Sequence, residues 1–233
     1  MILKRLIPVI AIAFAYAPAH AEDYAALLDE AIENVEWEFQ KEWAFTETSL
    51  SEGELFVGRF DPRPEDDEQW TLISVDGKEP TSRQRRKYLH DKDEHRGDSN
   101  DDDNRITAIV NRDSLELVEE TDEHWLFTFV PAEDEEAFLN SVDAMIRIVK
   151  DGRYVDSLEM RNFQDIKPGY GTKITTFQMR FSFGPAVAGG TIVPQSIDVN
   201  VTGRALLFIG FDETEVTKYS DFEHVVDSTG ANL

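Results

Sequence analysis

Cysteine is missing from all 233 residues of the chain. A protein without cysteine has no disulfide framework, no thiol nucleophile and no thiolate zinc site. A lipid anchor on a cysteine after a signal peptide is excluded for the same reason. Thiol chemistry and lipoprotein anchoring are therefore both ruled out.

Long apolar runs are also scarce, and the one at the start has the features of an export signal. A basic pair, Lys4-Arg5, precedes an apolar stretch from Leu6 to Ala17 and a small-residue cleavage site, Ala19-His20-Ala21. We expect residues 1–21 to be a signal peptide, and residues 22–233 to form a single domain in the periplasm. No later stretch approaches the roughly 18 to 20 apolar residues of a membrane-spanning helix. The mature chain is therefore expected to lack a transmembrane segment.

Basic residues are few, because 23 Lys and Arg stand against 47 Asp and Glu, for a formal net charge of -24. A field of that sign repels nucleic acid and anionic membrane surfaces. We expect no nucleic-acid partner, and the excess of acid is typical of a solvated surface.

The usual catalytic and metal motifs are absent. The chain has no G-x-S-x-G, no H-E-x-x-H and no glycine-rich phosphate loop. Asp98, Asn100 and Asp102 alternate oxygen donors, but Asp103 and Ile109 stand where an EF-hand requires glycine and glutamate. We therefore predict no metal, no cofactor and no catalytic residue, although an enzyme such as an envelope hydrolase is not excluded.

Helical spacing is found near the start of the mature chain. It predicts an amphipathic helix from Asp23 to about Trp43. The apolar stripe of that helix comprises Tyr24, Leu28, Ala31, Val35 and Phe39.

A second helix is indicated further along the chain. Thr81, followed three residues later by Gln84, forms a capping box and predicts a helix that ends near His90. Residues 91–105 contain no apolar side chain, and this composition predicts a flexible acidic loop.

The remaining chain alternates with a period of two, which indicates antiparallel strands. The turn Asp151-Gly152 predicts a hairpin in which Val149 faces Tyr154 and Arg147 faces Asp156. The fold class predicted is mainly β with α. It is a strongly curved antiparallel sheet, a half-open β-barrel of about ten strands, covered by an N-terminal helix and short inserted helices.

The longest alternating run is Ser196 to Phe211, where every odd-numbered residue from Ile197 onward is apolar or glycine. At about 3.3 Å per residue a straight strand of that length would extend nearly 50 Å. Such a strand is too long for a flat sheet in a domain of this size, so we expect a bend at Gly203.

The segment WTLISVDGKEPT, Trp70 to Thr81, carries a family resemblance. A tryptophan-led strand, the turn Asp76-Gly77 and the following Pro80 resemble a group of secreted proteobacterial proteins. Their general plan is similar to the periplasmic lipoprotein-carrier (LolA/LolB-like) superfamily. The resemblance implies an unclosed barrel whose apolar concave face receives acyl chains, and a place in outer-membrane biogenesis. Taken by themselves, the same residues make a structural corner.

This chain departs from the lipid-anchored members of that superfamily because no cysteine follows the signal. That departure favours a soluble, carrier-like form. The acidic insertion 91–105 is a second departure, and no ligand-gating residue of the carriers matches a position here.

A curved sheet of this size has a concave face larger than one amphipathic helix covers, which predicts an apolar pocket. Its expected lining is Phe177, Met179, Phe181, Phe183, Val199, Val201 and Leu207. The function predicted is a soluble periplasmic binding or carrier protein for a lipid, acyl chain or lipidated polypeptide, with a possible envelope protein as its partner. The alternative is that these residues pack beneath the helix and that the chain is an interaction or regulatory scaffold without a small ligand.

Overall fold

The computed structural model describes residues 24–51, 53–65, 68–96, 109–132, 139–169, 171–206 and 209–225. Within these ranges the chain is mostly strand. The helices are α1 (Tyr24–Glu33) and α2 (Ser82–Arg96). The strands are β1 (Trp43–Ser51), β2 (Glu54–Phe60), β3 (Trp70–Val75), β4 (Glu116–Glu120), β5 (His124–Phe129), β6 (Val142–Val149), β7 (Tyr154–Asn162), β8 (Ile166–Gly169), β9 (Thr172–Pro185), β10 (Ile192–Ala205) and β11 (Ile209–His224).

The eleven strands form one antiparallel sheet in the order β3-β2-β1-β11-β10-β9-β7-β6-β5-β4, and β8 pairs with β9 off this path. The sheet does not close, because β3 and β4 lie at opposite ends. The predicted fold class, a curved and open antiparallel sheet with an N-terminal helix, is confirmed. The first and last described strands, β1 and β11, pair near the middle of the sheet.

The predicted single strand from Ser196 to Phe211 is wrong. The chain turns back after Ala205, which pairs with Ile209 across the β10–β11 hairpin. Gly203 lies at a register shift between β10 and β9, an irregularity at the position where the bend was expected. It also allows close packing, because a Cβ there would lie 2.4 Å from the Lys173 carbonyl oxygen and 2.5 Å from the Phe211 ring.

The predicted hairpin at Asp151-Gly152 is present, and Val149 faces Tyr154 as expected. A β-bulge then shifts the register, so that Arg147 faces Ser157 instead of Asp156. The ion pair survives the shift, because Arg147 Nε donates to Asp156 Oδ2 at 2.6 Å.

The first helix is shorter than its apolar spacing predicts. It ends at Glu33, and the chain then runs beside β10, where Glu36 N donates to the Ile192 carbonyl at 2.8 Å. Val35 and Phe39 are buried, although neither lies in the helix. After Glu33 a backbone hydrogen bond to β10 replaces those of a continued helix. The apolar side chains Val35 and Phe39 are nevertheless buried, as the spacing predicted.

The second helix is longer than predicted. The capping box forms, with Gln84 N donating to Thr81 Oγ1 at 3.3 Å and Thr81 N to Gln84 Oε1 at 2.9 Å. The helix continues to Arg96, so a loop over residues 91–96 is wrong, and residues 97–105 lie outside the described ranges. The extra turn is held by Lys92, whose Nζ contacts both carboxylate oxygens of Glu47. No helix within the described ranges has the length and apolar character to span a membrane.

Both helices pack on the same side of the sheet, called here the inner face. α1 covers one half, where its buried Leu28 and Ala31 pack with inward side chains of β5, β6, β7 and β9. α2 covers the other half, where its Tyr88 packs with Leu72 and Val75 of β3. A third buried cluster comprises Phe39, Trp43, Phe45, Phe60 and Val193, and Val201 of β10 packs against the α1 cluster. Val199, Glu213 and Glu215 belong to none of the three clusters.

Candidate functional site

The inner face changes from apolar to acidic between two paired strands. Val199 of β10 faces Glu215 of β11, and Val201 faces Glu213. Directly opposite side chains on one face have Cβ atoms about 5 Å apart. These four residues and Ser51 of β1 form what we call the central strip.

Two adjoining cavities open over the central strip. The first has a volume of about 530 Å³ and is bounded by all five strip residues. Leu50, Gly53, Asp212 and Thr214 complete its lining. The second has a volume of about 320 Å³ and lies between α2 and strands β1 and β2. Ser51 and Glu215 line both, so the two cavities adjoin, and together we call them the groove.

A buried ion pair lies at the α2 end of this groove. Glu47 of β1 has a side chain only 5% exposed, and Lys92 Nζ lies 2.6 and 2.7 Å from its two oxygens. The same ammonium lies 4.4 Å from the centre of the Trp70 ring and 5.4 Å from that of Tyr88. A carboxylate with aromatic faces is a strong environment for a desolvated cation. This end of the groove therefore recognises an ammonium group within the chain itself.

The Tyr88 side chain extends from α2 and packs on Gly58 of β2, a strand position without a side chain. A Cβ at Gly58 would lie 2.1 Å from the Tyr88 hydroxyl oxygen, so only glycine leaves room for this contact. Tyr88 is 7% exposed, and its hydroxyl is buried beside the Glu47 carboxylate. Burial, with the negative charge of Glu47 beside it, raises the pKa of Tyr88. Burial and Glu47 likewise raise the pKa of Tyr219. Both phenols stay neutral at physiological pH.

The predicted pocket residues divide into three groups. Phe177 and Phe183 lie in the core beneath α1, and the Phe183 ring meets the Trp37 ring at 5.2 Å. Met179 and Phe181 are half-buried against the same core. Val199 and Val201 line the groove, and Val201 also packs against the same core. Leu207 lies outside the described residues.

The residues of the tryptophan-led motif have structural environments. Trp70 packs on Phe45 and Phe60, with ring centres 5.7 and 5.1 Å away. Asp76 and Gly77 form the turn after β3, with φ of 50° and 70°. Asp76 Oδ1 also accepts from the backbone of Leu55 at 3.0 Å, and Pro80 is buried.

The acidic and aromatic residues of the groove were not foreseen from the sequence. A signal for them exists in the alternation of β11, because Glu213 and Glu215 have the same parity as the inward-facing Phe211 and Tyr219. Glu47 likewise has the parity of Phe45. Acids at inward positions between aromatic residues thus pointed to a polar segment of the inner face.

A third cavity, of about 410 Å³, is lined by Glu159, Arg161, Arg180 and Asp198 among others. Charges of opposite sign alternate here, and Arg180 pairs with Glu159 at 3.3 Å. Met179 and Val199, two residues of the predicted pocket, also line this cavity.

The groove has the chemistry of a binding site. It offers branched apolar side chains at one end, carboxylates in the middle and a cation held between aromatic rings at the other. Within the described ranges, no cluster of three or more histidine or acidic side chains is placed to hold a metal ion. No protein-family model, curated protein or solved structure matches the chain. The likeness to the lipoprotein carriers consequently stays a prediction from the Trp70–Thr81 segment.

Proposed function

We propose that this chain is a periplasmic binding or carrier protein that holds an amphiphilic ligand, such as a lipid, an acyl chain or a lipidated polypeptide, in the groove of the inner face. The observation that carries the proposal is the central strip. Two helices cover the ends of the face, and Val199, Glu213 and Glu215 between them are not part of any buried cluster.

The dimensions of the groove agree with this use. Its two cavities, of about 530 and 320 Å³, are of the size that small-molecule sites have, roughly 300 to 1,000 Å³. Val199 and Val201 give hydrocarbon a surface to cover, since burying apolar area contributes about 25 cal/mol per Å². The aromatic residues Phe177 and Phe183 support that surface from the core and are not contact residues in this proposal.

A lipid carrier should retain its cargo through a mild purification. The protein, purified from its own source without detergent, is analysed by native mass spectrometry before and after solvent extraction. We expect a bound mass that the extraction removes, and displacement of a fluorescent acyl probe by that extract. A clean apo mass together with no binding of the probe contradicts the proposal and favours the scaffold alternative.

Val199→Glu tests the location of the ligand, because it places a charge on the apolar end of the groove. We expect probe affinity to fall about tenfold or more, as for burial of an unpaired polar group. Ile73→Glu is the matched control, since Ile73 is also a β-branched strand residue but is 51% exposed on the edge strand β3. Equal losses in the two variants would place the ligand elsewhere.

A further inference from the structure

A second surface lies at the end of the β10–β11 hairpin. It comprises Leu206, Ile209 and Arg204 of that hairpin with Lys167 and Lys173 of the adjoining β8–β9 hairpin, and we call these five residues the tip. We propose that the tip docks on an anionic lipid surface, with its apolar side chains in the headgroup region and its basic side chains on the lipid phosphates. The inference goes beyond the proposed function, because none of these residues lines the groove.

The hairpin that carries the tip extends past the neighbouring strand β1. The last pair between β1 and β11 is Leu50 with Val216, so residues 209–215 of β11 pair with β10 alone. At about 3.3 Å per residue this stretch is about 20 Å long. The β8–β9 turn lies beside the end of the hairpin, because a Cβ at Gly171 would lie 3.7 Å from the Leu206 Cα.

Two apolar side chains are exposed at this end. Leu206 is 58% exposed and Ile209 is 54% exposed, and residues 205–209 of the sequence are all apolar. Leu206 also has a φ of 50°, in the left-handed region where glycine or asparagine is favoured over a bulky side chain. Folding alone would therefore favour a different residue, and an exposed leucine there indicates an external contact.

Basic side chains lie next to this apolar end. Arg204 of β10 faces Lys173 of β9, and Lys167 lies on the adjoining β8. Lys173 pairs with Asp165 at 2.5 Å, whereas Arg204 and Lys167 form no ion pair with another described residue. Like charges directly opposite each other on a sheet are destabilising, so an external anion at Arg204 and Lys173 would relieve their repulsion.

The local charge of this end is opposite to that of the whole chain. Residues 166–173 and 203–210 contain three basic residues and no acidic one, whereas the chain has a formal net charge of -24. The nearest acid along β11 is Asp212, which faces Thr202 about 10 Å behind Ile209. Salt screens exposed charges beyond about 8 Å at physiological ionic strength. A surface in contact with the tip therefore meets mainly its basic residues.

The depth of the two kinds of side chain fits a bilayer. Arg204 lies two residues behind Leu206, or about 7 Å along the strand. Apolar faces of interfacial anchors enter about 5 to 10 Å into the headgroup region, which places such a basic residue at the level of the phosphates. The helix α2 is also rich in basic residues, but none of the exposed large apolar side chains of the described residues lies on it. The tip combines both features.

Vesicle flotation tests the proposal. The protein is mixed with phosphatidylcholine vesicles that contain or lack phosphatidylglycerol. We expect binding to the anionic vesicles that weakens as salt is added, and binding about tenfold weaker or less to the neutral vesicles. No binding to the anionic vesicles, or equal binding to both kinds, would overturn the inference.

A pair of charge variants locates the basic contact. Lys167→Gln/Arg204→Gln should weaken binding to anionic vesicles about twentyfold, because each basic residue near such a surface contributes about a fivefold factor. Arg83→Gln/Arg86→Gln removes the same charge from exposed positions of α2 and should leave binding nearly unchanged. An equal loss in the two double variants would assign binding to overall charge, and the inference would be wrong.

A pair of apolar variants locates the inserted side chains. Leu206→Asn/Ile209→Thr should weaken vesicle binding about tenfold or more, and asparagine tolerates the backbone conformation of Leu206. The control Ile73→Thr/Val118→Thr changes two comparably exposed residues of the edge strands β3 and β4. Both variants should bind the acyl probe of the groove as the unaltered protein does, which separates this test from that of the proposed function. Equal losses of vesicle binding would overturn the inference.

A fluorescent label reports the contact directly, because a chain without cysteine accepts a single label without competing sites. Ile209→Cys carrying an environment-sensitive dye should shift its emission to the blue when anionic vesicles are added, and Ile73→Cys with the same dye should not. A shift that instead grows with protein concentration in the absence of vesicles would mean that the tip contacts a second copy of the chain, and the lipid proposal would then be wrong.

Discussion

The two halves of the inner face are covered by helices of opposite character. α1 buries Leu27, Leu28, Ala31 and Ile32 in the larger core. α2 is very polar. It contacts the sheet through Tyr88, the partly buried Leu89, the charged Lys92 and Arg85, whose guanidinium donates to the Leu72 carbonyl at 3.3 Å. One sheet thus has an apolar cover at one half and a polar cover at the other.

The two helices are held on the sheet by different forces, and a groove can therefore persist beside the core. Apolar area draws α1 onto the sheet without directional requirements, so every inward position beneath it becomes core. The ion pair and the Tyr88 contact hold α2 at defined points, and the space between those points stays open. We therefore expect a loss of α1 contacts to lower the global free energy of unfolding. A loss of α2 contacts should instead increase local opening of the α2 half.

Leu28→Ala should have the largest effect, because Leu28 is fully buried at the α1 contact. Removing a buried leucine side chain destabilises by about 2 to 5 kcal/mol. Urea unfolding should show a lower midpoint with one cooperative transition. Glu33→Ala, at an exposed position of the same helix, is the control and should change the midpoint little. Similar midpoints for the two variants would mean that α1 is not part of the cooperative core.

Lys92→Met should have an intermediate and local effect. It leaves the buried Glu47 without its ammonium partner, at a cost of about 2 kcal/mol for a lost charge-assisted hydrogen bond. Amide hydrogen exchange should speed up in α2 and stay unchanged in α1. Adding Glu47→Gln should restore part of the protection, because the uncompensated charge is removed. Equal acceleration in both helices would contradict the division of roles.

Lys150→Met should have the smallest effect. The Lys150–Glu120 pair has nearly the same geometry as the Lys92–Glu47 pair, so the two variants differ mainly in how deeply the carboxylate is buried. Lys150 Nζ lies 2.6 Å from Glu120 and 4.7 Å from the Trp125 ring centre, but the Glu120 side chain is 50% exposed. Solvent screens such a pair, so the free energy of unfolding should change less than in Lys92→Met. A loss as large as that of Lys92→Met would show that burial of the carboxylate is not the deciding difference.

The same variant should alter the acid limb of the stability curve. The hydrogen bond from Lys150 lowers the pKa of Glu120 below its ordinary value of 4.5. The ionised form is therefore favoured in the folded state, and the pair's contribution is present above pH 4.5 and lost as the pH falls through the lowered pKa. In Lys150→Met this part of the decline below pH 4.5 should disappear.

Local patterns in the sequence foretold much of the fold. The capping box at Thr81, the turn at Asp151-Gly152 and the apolar stripe of α1 depend on neighbours within a few residues, and each is present. The run from Ser196 to Phe211 was misassigned for a specific reason. A hairpin that pairs Ala205 with Ile209 keeps odd-numbered residues on one face, as a bent single strand also would. The alternation of apolar and polar residues is the same in a hairpin and in a bent strand, so it does not distinguish them.

The site was harder to foresee, because its parts come from distant segments. Glu47, Tyr88 and Glu215 meet only when β1 pairs with both β2 and β11 and α2 folds back over them. The predicted pocket included Phe177 and Phe183, which the first helix covers. Whether an inward apolar residue faces a helix or an opening depends on where the helices end.

Spacing along the chain predicted the class of sheet, the inward parity of its strands, the N-terminal helix and the helix after Thr81. The short helix also expected from Ala132 to Val142 is wrong at its end, where Leu139–Ser141 form a 3-10 turn and Val142 begins a strand. The tertiary structure alone decided which inward positions became core and which became groove. The physical reason is that burial depends on what is placed opposite a side chain. Val199 and Phe177 have the same parity pattern, yet one lies beside an acidic strand and the other beneath α1.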